Sequence, residues 1–187
     1  MTPAATLPVT TRRALPDEAP LLATLAAATF RDTFGGDNTP QDMAAYLAAS
    51  FGDEIQRREL LDARVTTFFA EHAGEVVGYA TLREGTASAG VPAEGAIEIA
   101  RLYAVTTRIG SGVGAALMRR CLDEAQSRGR RVVWLCVWER NARAIAFYQR
   151  WGFADVGVTT FVLGDDRQAD RVMARRVGGE GQECATR

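Results

Sequence analysis

Residues 102–115 read LYAVTTRIGSGVGA, a strand-like segment that runs into alternating glycines and then into an amphipathic helix. Glycines let backbone N–H groups turn toward an anion and let a bulky anion come close. The positive end of the helix dipole adds to that attraction. The stretch therefore predicts a turn that binds a phosphate or a pyrophosphate.

Three kinds of phosphate site can be compared with this turn. A Walker loop requires a Gly-Lys-Ser/Thr ending, which this turn lacks. A dinucleotide fingerprint has G-x-G-x-x-G spacing near the first strand of a βαβ unit. Here the spacing is G-x-G-x-G, past the middle of the chain. The pyrophosphate of coenzyme A remains, and the alternative is a glycine-rich turn that only starts a helix.

A second stretch, residues 134–153, reads WLCVWERNARAIAFYQRWGF and predicts a buried strand followed by a short helix. Asn141 is a natural N-cap for that helix. Tyr148 follows two helical turns later, so it lies on the same side of the helix as its start. The alternative role for Tyr148 is a packing side chain on a short helix.

With the glycine turn before it, the second stretch resembles the GNAT acetyltransferase superfamily, whose pattern here is Asn-x-x-Ala, then Tyr, then Gly-Phe. The matching residues are Asn141, Ala144, Tyr148, Gly152 and Phe153. Ile109 departs from the pattern, because the family usually has Gln or Arg at that position. Arg108 is the neighbouring basic side chain, but its direction would differ.

The resemblance extends to a bacterial polyamine acetyltransferase subgroup, the PaiA-like spermidine/spermine type. The stretches that carry it are residues 29–34, 38–40, 45–47, 97–99, 135–139 and 161–166, with Asp170. The resemblance implies an α/β (α+β) GNAT fold, with a central mixed, mostly antiparallel sheet of about six to seven strands flanked by helices. It implies one N-acetyltransferase domain over residues 1–187, with residues 1–10 and 178–187 loosely ordered.

Apolar periodicity and turn signals predict the elements along the chain. Helices are expected at residues 17–30, with Asp17 as N-cap, at a segment from Pro40, with Thr39 as N-cap, and at 53–61, 112–128 and 142–151. Strands are expected at residues 65–70, 76–82, 97–105, 132–138, 154–163 and 171–175. Residues 71–75, including His72, are expected to form a hairpin turn, and residues 85–95 a loop that can gate the substrate.

The resemblance implies that acetyl-CoA lies in a V-shaped opening between the strand ending at Ala104 and the strand ending at Trp138. The residues it places on this cofactor are Leu102, Tyr103, Ala104, Gly110, Ser111, Gly112, Val113, Gly114, Ala115, Asn141 and Tyr148.

The expected chemistry is attack of a primary amine on the thioester, with Tyr148 donating a proton to the leaving thiolate. An alkylamine of pKa ~10.4 costs roughly 4–5 kcal/mol to deprotonate at pH 7, so a base or a water relay is expected. Glu98 is the first candidate base, since it interrupts an apolar strand where a carboxylate needs a wet cleft or a partner. Glu139 is the second candidate, and an ion pair with a basic side chain is the alternative role for Glu98.

A small-molecule amine, with a polyamine as the leading class, is the expected acceptor. Asp37, Asp42, Asp165 and Asp166 are candidates to bind a cationic amine, although each also suits a cap, a turn or a solvated position. The alternative functions are acetylation of a protein lysine or N-terminus, a non-catalytic acyl-CoA sensor, and a degenerate domain with structural use only. Fold and cofactor site do not fix the acceptor.

Composition excludes several classes of protein. The net charge of −1 gives no basic excess for nucleic acid or an anionic membrane, and no apolar stretch is long enough to span a bilayer. Three widely spaced cysteines, Cys121, Cys136 and Cys184, do not form a disulfide framework, and one histidine does not make a metal site. A cytoplasmic location is expected, because no signal peptide is apparent. A homodimer is expected only because it is the commonest symmetric assembly.

Overall fold

The computed structural model describes residues 7–163 and 166–178. Seven strands of these residues form one sheet in the order β1-β2-β3-β4-β5-β7-β6. Their bounds are β1 Thr10–Arg13, β2 Val65–His72, β3 Glu75–Arg83, β4 Ala96–Ala104, β5 Val132–Trp138, β6 Ala154–Leu163 and β7 Asp166–Arg176. Only β4 and β5 pair in parallel within this sheet. The expected mixed, mostly antiparallel sheet is therefore confirmed.

Five α-helices of the described residues cover the two faces of the sheet. They are α1 Ala19–Phe34, α2 Pro40–Ser50, α3 Asp53–Leu61, α4 Val113–Ser127 and α5 Ala142–Arg150. One apolar core joins α4 and α5 to the sheet, and a second joins α1 and α2 to the opposite face. The sheet is thus buried on both faces, which explains the continuous apolar run of β5.

The predicted caps determine where α2 and α5 begin. The hydroxyl of Thr39 accepts a hydrogen bond from the backbone N–H of Asp42 at 3.1 Å, and Pro40 is the first helical residue. Asn141 caps α5 in the same way, accepting from the N–H of Ala144 at 3.1 Å. Both side chains satisfy a donor that the helix itself leaves open.

Three local expectations were wrong. Asp17 lies in a 3-10 turn, Pro16–Glu18, and does not cap α1, because the chain turns once more before the helix starts at Ala19. His72 is the half-buried last residue of β2, since the hairpin turn is shorter than expected and His72 pairs with Glu75. Thr10, expected in the loose N-terminal segment, begins β1 because it pairs with the edge of β2.

The last strand is longer than the predicted segment. β7 begins at Asp166, and its first half pairs with β6 although its side chains are mostly polar. That polarity explains why periodicity found only its apolar second half. Residues 1–6, 164–165 and 179–187 lie outside the described residues, and with them Asp165, Cys184 and most of the two ends expected to be loose.

Candidate active site

The centre of the sheet opens where its two parallel strands diverge. β4 and β5 pair over three positions, Ala96–Glu98 on β4 with 132–134 on β5. β4 then continues to Ala104 and β5 to Trp138, with no further pairing between them in the described chain. The V-shaped opening expected between the two strand ends is therefore present, and Glu98 lies at its narrow end.

A β-bulge shapes β4 beside this opening. Thr81 of β3 lies opposite Arg101 and the next residue, Leu82, lies opposite Ile99, so Ala100 is an extra residue on β4. A bulged residue has no partner in the ladder, and its strand bends. The bulge lies just past the last position at which β4 pairs with β5. No glycine or proline marks it, so sequence patterns gave no signal for it.

The glycine-rich turn connects the end of β4 to α4. Gly110 and Gly112 have φ values of +85° and +91°, the left-handed region in which a side chain is strained. The first amides of α4 have no intrahelical acceptors, and no side chain caps them. The turn therefore presents N–H donors and the positive end of a helix dipole to an anion.

Ser111 and Ile109 lie beside the glycines of this turn, and their side chains differ in their contacts. Ser111 donates its hydroxyl to the carbonyl of Arg108 at 2.7 Å, which holds the turn together. Ile109, the departure from the family pattern, is 42% exposed. An exposed apolar residue cannot pair with a phosphate, so an anion held here depends on backbone amides.

The start of α4 packs closely on β3 and α5. A Cβ atom added to Gly78 would lie 2.7 Å from the carbonyl oxygen of Tyr103 and 2.8 Å from Cγ1 of Val113. A Cβ atom on Gly114 would lie 3.6 Å from the ring of Phe147 on α5. Gly78 was not singled out from the sequence, yet only glycine allows this approach of α4 to β3.

Tyr148 lies on α5, in the core on the α4–α5 face of the sheet. It is 8% exposed, and its ring centroid lies 5.4 Å from that of Phe147 and 5.9 Å from that of Phe153. Burial is the largest cause that raises the pKa of Tyr148, and Cys121 contributes. The phenol therefore stays protonated at neutral pH and can act as a proton donor.

Glu98 lies on the opposite face of the sheet from Tyr148. Its register partner Trp134 alternates with the core residues Val133 and Leu135, so Glu98 faces α1–α3. Burial raises the pKa of Glu98, whereas the hydroxyl of Thr86 and the guanidinium groups of Arg83 and Arg101 oppose the rise. A half-buried carboxylate with a raised pKa is suited to accept a proton.

The second candidate base, Glu139, follows the far end of β5. Its backbone N–H donates to the carbonyl of Ala169 at 3.1 Å. The structure thus separates the two candidates, with Glu98 at the narrow end of the opening and Glu139 beyond its wide end. Among the described residues Glu98 makes no ion pair, because the nearby Arg83 and Arg101 both pair with Glu59, at 3.2 and 2.6 Å.

Two of the acidic residues considered for a cationic acceptor accept hydrogen bonds within the protein. Asp42 accepts a hydrogen bond from Thr39 at 2.7 Å, and Asp166 accepts one from Gln168 at 2.8 Å. Asp37 is exposed in the turn before α2. The loop before β4 is fastened to β6 by contact of Gly90 with the carbonyl of Val156. This contact gives no support to the expected gate.

Aromatic side chains cover the α1–α3 face beside the opening. The ring centroid of Phe34 lies 6.0 Å from that of Trp138, and that of Tyr46 lies 5.6 Å from that of Phe161. Asp170, opposite Trp138 in the register of β5 and β7, also faces this side. The sequence singled out Asp170 only by resemblance, because one Asp in a polar strand has no distinctive pattern.

Within the described residues, no group of three or more His, Cys, Asp or Glu side chains is arranged to hold a metal ion. Cys121 is buried and Cys136 half-buried, and neither forms a disulfide. None of the helices in the described ranges is long and apolar enough to cross a membrane.

Comparison with known proteins adds independent findings. The model of the Acetyltransferase (GNAT) family matches residues 28–153. An uncharacterized N-acetyltransferase of Lactobacillus delbrueckii subsp. lactis is 32% identical over 156 residues, which are 83% of this chain and 90% of that protein. An uncharacterized N-acetyltransferase of Mycobacterium tuberculosis is 34% identical over 156 residues, 83% of this chain and 96% of its own length.

Solved structures share the fold. The PaiA N-acetyltransferase of Thermoplasma acidophilum, in complex with coenzyme A, superposes with a TM-score of 0.73 at 16% identity. The match covers 91% of this chain and 99% of that one. At this identity the likeness concerns the architecture of sheet and helices.

Proposed function

The chain belongs to the acetyltransferase (GNAT) family, and from this premise we propose that it transfers an acetyl group from acetyl-CoA to a primary amine by direct attack on the thioester. One structural observation is the main support for this proposal. The opening between β4 and β5 has a glycine-rich anion turn at its wide end, with Tyr148 on one face of the sheet and Glu98 on the other. A cofactor in this opening would meet donors for its pyrophosphate, a proton donor and a proton acceptor.

The residues of the opening suit the successive segments of coenzyme A. The amides of the turn and the start of α4, from Gly110 to Ala115, suit the pyrophosphate. The edge of β4 from Leu102 to Ala104 has no partner on β5, so its backbone groups are free to pair with the amide-containing pantetheine arm. Asn141, at the start of α5, is assigned to the same arm.

When bound, acetyl-CoA supplies a thioester, with an electrophilic carbonyl carbon and a thiolate leaving group. Glu98 accepts a proton from the ammonium form of the acceptor, directly or through one water, and releases it to solvent. The amine nitrogen can then form its bond to carbon. Tyr148 donates a proton to the departing sulfur, and the second proton lost by the nitrogen restores the phenol.

The two proposed catalytic residues, Tyr148 and Glu98, would reach the thioester from opposite faces of the sheet. Tyr148 is held on the α4–α5 face, and Glu98 faces α1–α3, so the amine is expected to approach from the aromatic side of the sheet. β4 and β5 separate immediately after Glu98, which allows both groups to reach a thioester between the two strands. This arrangement favours direct transfer, because burial raises the pKa of Cys136, so the thiol on β5 beside the opening stays protonated and is a poor nucleophile.

A polyamine such as spermidine or spermine is the acceptor class favoured within this proposal. The sequence resemblance to the PaiA-like subgroup supports it, and a PaiA protein is among the structures that share the fold. The pKa values of Glu98 and Asp170 are both raised, as expected for two partly buried carboxylates on the face that the amine approaches. A cation would stabilise their ionised forms.

Release of free thiol from acetyl-CoA tests the proposal. Purified protein is assayed with spermidine, spermine, other alkylamines, aminoglycosides and lysine peptides, and the acetylated product is identified by mass spectrometry. Amine-dependent thiol release is expected, with the highest kcat/KM for a polyamine. Measurable acetyl-CoA binding without release for any acceptor would overturn the enzymatic proposal in favour of a sensor.

A further inference from the structure

One carboxylate on the acceptor side is not used by the chemistry described above. Asp170 lies opposite Trp138 of β5 and Thr159 of β6 in the strand register. Trp138 makes its ring contact with Phe34 of α1, so Asp170 lies on the same face as Glu98. Cys136 lies between the two carboxylates on β5. Burial is the main cause that raises the pKa of Cys136, and the charges of Glu98 and Asp170 add to the rise.

The carboxylate of Asp170 lacks a partner where one is expected. Its Oδ1 atom is buried, and within residues 7–163 and 166–178 no group donates a hydrogen bond to it. Buried polar atoms in folded proteins are nearly always paired, so such an atom calls for water or a ligand. Glu139 beside it adds negative charge and gives no donor, and both burial and Glu139 raise the pKa of Asp170.

The ring of Trp138, opposite Asp170 in the strand register, makes the surroundings of Asp170 suited to a cation. Trp138 is half-buried, and the guanidinium of Arg140 already lies over its ring, 5.9 Å from the centroid. A ring face together with a desolvated carboxylate is the combination that binds ammonium groups in proteins. Arg140 approaches only the ring, and among the described residues it forms no ion pair with Asp170.

We infer that Asp170, with the ring of Trp138, is a specificity-determining site that binds a second ammonium group of the acceptor. The inference rests on the proposed amine acetylation, with the reacting nitrogen at Glu98. The acceptor is accordingly an elongated dication, and the same amine with its distal charge removed is a poor substrate.

Sheet geometry gives the spacing of the two cationic groups. Glu98 is level with Trp134 and Ala174, and Asp170 is four residues from Ala174 along β7. With strands about 4.8 Å apart and residues about 3.3 Å apart, the Cα atoms of Glu98 and Asp170 are roughly 16 Å apart. Side chains reaching inward shorten this span, so an extended chain of about eight carbons joins the two sites.

Binding of two matched ligands tests the inference without relying on turnover. α,ω-Diaminooctane and ω-amino-octanol have the same length and differ in the distal charge. Each is titrated by calorimetry into protein saturated with coenzyme A, for the wild type, Asp170→Asn and Asp123→Asn. Asp123 is the control carboxylate, because it is exposed and lies on α4, on the other face of the sheet.

The wild type is expected to prefer the diamine by about tenfold or more, the effect of one hydrogen bond to a charged group. Asp170→Asn removes this preference and Asp123→Asn retains it. A second variant, Trp138→Leu, is expected to reduce the preference, because it removes the ring face. Equal affinities in the wild type, or a preference that survives in Asp170→Asn, would overturn the inference. A preserved preference without thiol release would instead contradict the proposed acetyl transfer and leave the cation site standing.

Discussion

Glu98 lies opposite Trp134 in the last register pair of β4 and β5, and the two strands separate immediately beyond it. The carboxylate thus lies at the point where the sheet changes from a closed to an open structure. Its half-buried position explains the raised pKa, because desolvation disfavours the ionised form. This position also determines what a change in pH does to the reaction.

Replacing Glu98 with Gln is expected to lower kcat/KM for a primary amine by about 100-fold near neutral pH. The wild-type carboxylate accepts a proton only when ionised, so activity rises as pH passes upward through its raised pKa. In Glu98→Gln this rise of activity with pH is lost. The difference in kcat/KM from the wild type becomes smaller toward about pH 10, where the amine is itself deprotonated. A pH–rate profile with saturating acetyl-CoA measures both effects. Glu139→Gln is the matched control and should keep the rise of activity with pH. If only the control loses this rise, Glu139 and not Glu98 is the base.

Replacing Tyr148 with Phe removes the hydroxyl and keeps the ring contacts with Phe147 and Phe153. The expected result is a fall in kcat of about 100-fold, with the dissociation constant of acetyl-CoA within about twofold of the wild type. Stopped-flow or steady-state thiol release and cofactor titration provide the two readouts. Tyr79→Phe, on β3 and fully buried, serves as the control for loss of a phenol hydroxyl. Unchanged turnover in Tyr148→Phe would remove the tyrosine from the mechanism.

Replacing Gly78 with Ala introduces a Cβ atom 2.7 Å from a backbone carbonyl and 2.8 Å from Val113. The start of α4 must then shift away from β3, which costs about 1–3 kcal/mol of stability as overpacking. Because Val113 follows the glycine turn directly, binding of coenzyme A should weaken as well. Thermal unfolding and cofactor titration check the two effects. Gly36→Ala is the control, since its Cβ atom meets no neighbour within 4 Å; equal behaviour of the two variants would show that α4 tolerates the shift.

The stability of the protein should depend on Asp170 between about pH 4 and pH 6. Burial and the charge of Glu139 raise the pKa of Asp170 to about 6, above the unfolded value near 3.9. The folded state therefore binds more protons in this interval, and wild-type stability falls as pH rises through it. Asp170→Asn lacks this loss, so its melting temperature should exceed that of the wild type more at pH 7 than at pH 4. A difference that does not vary with pH, or the same trend in Asp123→Asn, would contradict the assignment.

Apolar patterns and caps predicted most of the fold for identifiable reasons. β5 is apolar on both faces because helices cover both, and its bounds matched the prediction at 132–138. Thr39 and Asn141 occupy positions that only a cap explains, and both bind the expected N–H groups. β1 was missed because four polar residues at a sheet edge show no apolar alternation.

From the sequence, only those parts of the site that lie within one local segment could be predicted. The glycine turn and the Asn141–Tyr148 register lie within single local segments, so their spacing could be read from the sequence. Gly78 and Asp170 acquire their importance from partners distant in the chain, Val113 and Trp138. Such relationships depend on strand order and register, which no local pattern contains.

The extra residue of β4 can be separated from the rest of the strand. Glu98 and Arg101 share a face only because Ala100 is absorbed in the bulge. Remove Ala100, and the alternation of every other side chain is unchanged, so each residue keeps its place in the two cores. β4 is therefore equivalent to a regular strand that has gained one residue at its centre. Deleting Ala100 is therefore expected to make β4 regular and to leave every other side chain of the strand on its present face.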